Sequence, residues 1–185
     1  SYIVLGIAIL SPLSTAGALY HLVAHAFMKI TLFMCAGAIF VTTHKKDISE
    51  MVGLGRRMPV TMSAFTIASL GIAGFPFFVG FVSKANIIMG ALKTGQLLFG
   101  ATLIVSAVLA LTYLMPVVLI TFKREPVNPE FNAYGEASKT MLTPLLITAT
   151  VSVILGVAPN FGLHLLDLAI STGEAVFARA GGVIC

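Results

Sequence analysis

The chain has 185 residues, of which 58% are hydrophobic and 10% charged, with a formal net charge of +4. Soluble domains carry roughly a quarter charged residues, and a chain this size cannot hide so much apolar surface in one core, so a soluble globular protein is excluded. The positive balance is no nucleic-acid footprint, because the basic residues fall in short loops between apolar stretches, and Cys35 and Cys185 make neither a disulfide framework nor a zinc or iron–sulfur motif.

In chain order, Ser1–Leu10 is apolar, lacks the basic flank of a signal peptide, and as a helix would cover only about 15 Å. It reads as the end of a helix that begins upstream, which makes the chain the C-terminal part of a longer protein. The first full span is 12–42, opened by Pro12, a favoured first-turn residue, and carrying Lys29 as its one charged side chain. A polar loop follows at 43–58. The apolar stretch 59–92 would measure about 51 Å as one straight helix, well beyond a hydrocarbon core of about 30 Å. Its middle reads GIAGFPFFVG, with Gly71, Gly74, Gly80 and Pro76. Proline cannot complete the helical ladder and glycine weakens it, so the sequence predicts a helix broken within the membrane, between about Gly74 and Gly80.

A tight connection leads to a span at 97–122, which contains Pro116 as a candidate kink. The hydrophilic loop 123–139 precedes a last span at 140–158, ended by Pro159 and Asn160. The tail 161–185 sets Leu163, Leu166, Ile170 and Phe177 against Asp167, Glu174 and Arg179, a pattern that suits a helix lying at the membrane interface. The predicted fold class is all-α: a polytopic transmembrane helix bundle with one discontinuous helix. Two spans separate the basic loops 43–58 and 123–139, so both belong on one side, and the positive-inside rule places them in the cytoplasm of a multi-pass protein of the cell (inner) membrane.

Lys29 is the sharpest single feature. It lies near the centre of its span, too far from either end for its stem to reach the interface, and an unpaired charge there costs on the order of 2.5–3.5 kcal/mol. The alternatives are a structural ion pair or a functional group facing a hydrated interior, and the spans offer no carboxylate for the pair. His21 and His25 precede it at steps of four, which keeps all three on one helical face. Histidine titrates near physiological pH, and a row of titratable groups linked by waters can relay a proton. Core histidines satisfied by backbone or water are a second reading of the pair. A metal site is a third, although no HExxH glutamate or further ligand is evident. Lys84 follows the predicted break, just past a new helix N-terminus, where the dipole disfavours a positive charge. It is either a relay group or a lysine that snorkels toward Leu92. Ser83, Thr31, Ser106 and Thr112 are weaker candidates for lining a path, since hydroxyls in such helices often bond back to the preceding turn.

Three motifs, HLVAHAFMKITLF, DISEMVGLGRRMP and GFPFFVGFVSKANII, give a resemblance over residues 1–122. The chain resembles the antiporter-like membrane subunits of respiratory complex I (NADH-quinone oxidoreductase), of Mrp-type multisubunit sodium/proton antiporters and of related membrane-bound hydrogenases. Within that group GRRMPVTMSAFTIASLGIAGFP looks nearer the D-like members of the Mrp type, while Ala85 departs from the acidic residue that some members carry after the lysine. The resemblance implies a proton-transfer chain through His21, His25, Lys29 and Lys84, and a second half, with its own glutamate–lysine pair, upstream of Ser1. It implies a proton-translocating component without redox chemistry or cofactors of its own, in contact with lipid, protons, Na+ or K+ and other membrane subunits. The alternative is a non-conducting scaffold within such a complex.

Overall fold

The computed structural model describes residues 1–123 and 135–181, and among them every regular element is helical. The helices are α1 (Tyr2–Ala8), α2 (Pro12–Thr43), α3 (Pro59–Ala73), α4 (Val79–Lys93), α5 (Leu97–Lys123), α6 (Lys139–Val157) and α7 (Leu165–Gly181). Two short 3₁₀ turns, Ile48–Met51 and Leu54–Arg56, lie between α2 and α3. By length and composition Pro12–Thr43, Leu97–Phe122 and Lys139–Val157 can each cross a membrane, and Pro59–Ala73 is a shorter apolar helix. The all-α membrane bundle expected from the sequence is the fold observed. Arg124 and the two prolines of the second basic loop, like Cys185, lie outside the described residues.

Long helix α2 is the axis of the bundle and packs against α1, α3, α4, α6 and α7. Small residues on one stripe let its neighbours approach: Ala16 and Ala24 are buried with Tyr20 and Met28 in a cluster completed by Val79, Leu155 and Ala169. The Tyr20 hydroxyl reaches the α6 carbonyl of Leu155 at 2.7 Å, which satisfies a polar tip that burial would otherwise strand. Pro12 starts α2 where a missing N–H costs nothing, and His44 ends it in the left-handed conformation with its N–H bonded to the Phe40 carbonyl. On α5 the large side chains of Ile104, Val105, Val108 and Leu109 are exposed.

The discontinuity falls where glycine and proline placed it. Helix α3 stops at Gly74, whose φ of +86° is left-handed. Bonds from Gly74 N to the Gly71 carbonyl and from Phe75 N to the Leu70 carbonyl, both 3.0 Å, close a Schellman motif. The chain turns through Phe77, itself at φ +73°, and α4 begins at Val79. A side chain at Gly80 would collide with the Gly71 carbonyl, so the first turn of α4 lies directly beside the last turn of α3. The half-helices therefore step past each other instead of forming one rod.

At the far end, Glu136 caps α3. Its carboxylate accepts from Val60 N at 2.8 Å and from Thr61 Oγ1 at 2.6 Å, placing negative charge at a helix N-terminus. Gly53 N also bonds the Ile120 carbonyl at 3.3 Å. These contacts bring residues 53–61, the end of α5 and the lead-in to α6 to one end of the bundle. Helix α7 packs on α2, and its first turn is held by paired bonds between Asn160 and Asp167, 2.8 and 3.1 Å.

Candidate functional site

The four-residue spacing on α2 does put His21, His25 and Lys29 along one cavity, of about 380 Å³, whose wall also includes Tyr2, Ser106 and Tyr113. Their burial is graded. His21 is 3% exposed, His25 is half-buried and Lys29 is exposed. The two imidazole rings lie 5.7 Å apart, and the Lys29 amine stands 5.8 Å from the ring of Phe33. No group of three or more His, Cys, Asp or Glu side chains positioned for a metal occurs among the described residues.

His21 connects this row to the broken helix. Its Nδ1 lies 2.7 Å from Ser83 Oγ on α4, and Ser83 in turn donates to the Gly80 carbonyl at 3.0 Å. The other ring nitrogen, Nε2, is buried with no hydrogen-bond partner among the described residues. A buried polar atom in that state ordinarily reports water or function.

Lys84, the residue after Ser83, is 5% exposed. Its amine does not snorkel toward Leu92. It turns back across the break and donates to the carbonyls of Ile72 at 2.7 Å and Ala73 at 3.1 Å. These are among the carbonyls that the end of α3 leaves without helical partners. The electrostatic expectation from the sequence therefore needs correction: the nearest helix end is the C-terminus of α3, whose dipole favours a cation, and not the N-terminus of α4. The face of the Tyr2 ring adds a second favourable contact, 4.6 Å from the amine. Gly74 belongs to the same arrangement, because a Cβ there would lie 2.9 Å from Lys84 Cδ.

Of the four hydroxyls weighed from the sequence, Ser83 and Ser106 reach the site. Thr31 instead bridges α2 to Thr148 of α6 at 2.9 Å, and Thr112 bonds back to the Leu109 carbonyl at 2.8 Å. Tyr2 was not singled out from the sequence. Its ring meets His21 edge-on at 5.3 Å, and its hydroxyl is hydrogen-bonded to Ser106 Oγ on α5. The available signal was a phenol in an otherwise apolar stretch, a polar tip that must find a partner when buried.

Residues 1–112 match the family described as NADH:quinone oxidoreductase/Mrp antiporter, transmembrane. NADH-quinone oxidoreductase subunit N of Desulforudis audaxviator is 35% identical over 166 residues, covering 84% of this chain and 33% of its own length. The D-type component of a Na+/H+ antiporter from Alkalihalophilus pseudofirmus is 31% identical over 157 residues, covering 85% of this chain and 32% of its own. The chain thus spans about a third of the length of these two relatives. Among solved structures, the Mrp complex of a Dietzia species aligns with a TM-score of 0.80 at 23% identity, over 92% of this chain and 40% of that one. Respiratory complex I of Thermus thermophilus aligns with a TM-score of 0.80 at 23% identity, over 94% and 36%. The fold is common to both assemblies, and the two identities do not separate one branch from the other.

Proposed function

The chain belongs to the NADH:quinone oxidoreductase/Mrp antiporter transmembrane family, and from that premise we propose that it forms part of a proton-translocating membrane subunit in a cation/proton antiporter or a complex I-like assembly. In this reading protons pass between Lys29, His25 and His21 along the cavity and reach Lys84 at the break. The observation that carries it is the 2.7 Å contact between His21 and Ser83, which ties the titratable row on α2 to the lysine-bearing helix. Broken helices with exposed backbone carbonyls at mid-membrane recur at ion sites, which supports a role for the Lys84 position. The relay does no redox chemistry. Redox subunits or exchange of Na+ or K+ through neighbouring membrane subunits would drive it or be driven by it. The basic residues Lys45, Lys46, Arg56 and Arg57 favour the cytoplasmic side for the loop before α3.

A second reading has its own support. The Lys84 amine satisfies two carbonyls at the end of α3, so the residue also suits a purely structural cap within a non-conducting scaffold. Alanine replacements of His21, His25, Lys29 and Lys84 in the full-length protein, assayed in vesicles with a pH-sensitive dye, distinguish the two. A relay loses most proton transport in each variant at matched expression. Wild-type transport in the Lys84→Ala protein would leave only the scaffold.

A further inference from the structure

Resting on that relay, we infer that Tyr2 is a gate between the α2 histidines and Lys84, held closed by Ser106. One aromatic ring touches both groups that must exchange a proton: the His21 ring packs against it in a T-shaped pair with centroids 5.3 Å apart, and the Lys84 amine stands over its face at 4.6 Å. Neither a ring edge nor a π face can pass a proton along. Tyr2 lines only the first of two neighbouring spaces. The cavity of about 380 Å³ contains His21, His25 and Lys29, whereas Lys84 lines a different, apolar cavity of about 490 Å³ between α4 and α5. Leu103 contributes to the wall of both.

The closed position has an identifiable latch and somewhere to go. The Tyr2 hydroxyl is hydrogen-bonded to Ser106 Oγ on α5, and both residues line the cavity that holds the histidines. Breaking that bond and rotating the ring into the cavity would open room for water between Lys84 and the unpartnered Nε2 of His21. The ring's hold on Lys84 depends on charge as well, because the quadrupole attracts an ammonium and not a neutral amine. Release of the lysine proton therefore loosens the gate, and reprotonation closes it. Tyr2 is a positioning residue here: it carries no proton and decides when water can.

The test measures passive proton leak and coupled transport in vesicles containing the full-length protein in its complex. Tyr2→Phe and Ser106→Ala should each raise the leak several-fold, and the double variant should leak no more than either single, because both remove the same bond. Tyr2→Ala should leak more, and adding Lys84→Ala should abolish that leak. Wild-type leak in both Tyr2→Phe and Ser106→Ala, with transport still lost in Lys84→Ala, would reject the gate and keep the relay. A Tyr2→Ala leak that survives Lys84→Ala would also reject the gate, since protons would then bypass the lysine. Wild-type transport in Lys84→Ala would reject the relay itself.

Discussion

Lys84 donates to the Ile72 and Ala73 carbonyls and so closes the end of α3, and its amine lies over the Tyr2 ring. In the proposed relay Lys84 would also hand on a proton from the same amine. Its neighbour Ser83 supplies the link to α2, so Ser83→Ala should slow proton transport by about tenfold, equivalent to about 1.4 kcal/mol of barrier. The same change should lower stability by only about 1 kcal/mol, the net worth of one hydrogen bond, as measured by thermal unfolding in detergent. Unchanged transport in Ser83→Ala would remove the His21–Ser83 contact from the route. At this scale the sequence displayed the titratable residues but not their directions. The i, i+4, i+8 spacing put three side chains along one cavity, yet it was silent on the gradient from buried His21 to exposed Lys29. That gradient arises from helices distant in sequence. The direction of Lys84 was hidden for a related reason: side-chain reach across a helix break depends on how the halves overlap, and no local pattern encodes that overlap.

Helix punctuation was the most legible feature among the elements. Pro12 and Pro59 open helices, and Gly74 closes one with a left-handed residue, each where backbone chemistry allows little else. Gly74→Ala should destabilise the protein by roughly 1–2 kcal/mol through its positive φ alone, with a further loss from crowding Lys84. Gly80→Ala should cost more, because the Cβ would strike the α3 backbone at Gly71 and drive the half-helices apart. Thermal unfolding of the two variants checks the order, and equal stability of Gly80→Ala and wild type would contradict the close crossing. The Glu136 cap on α3 was not legible. Seventy-odd residues separate it from Val60, and a carboxylate in a hydrophilic loop carries no local sign that a distant helix start will claim it. Removing it with Glu136→Ala should cost about 1 kcal/mol, the usual worth of a helix N-cap.

At the scale of the whole molecule, clustering of charge was sufficient to read a bundle of membrane helices from the sequence. Packing around α2 was not, because nearly all-round apolar helices carry no stripe that names their partners. The proposed orientation predicts that a cysteine at Ser49 is labelled by an impermeant maleimide only from the cytoplasmic side, and one at Gly162 only from the other. Both belong in a background with Cys35 and Cys185 replaced, and the opposite labelling would invert the topology. The central claim is that Lys84 passes protons and does not merely cap a helix, and Lys84→Arg tests it most directly. A guanidinium can still donate to the Ile72 and Ala73 carbonyls but stays protonated at any accessible pH. Measured in vesicles with a pH-sensitive dye and matched for insertion, the full-length Lys84→Arg protein should be as stable as wild type and should lose proton transport as completely as Lys84→Ala. Wild-type transport in Lys84→Arg would contradict the account and leave Lys84 a structural cap.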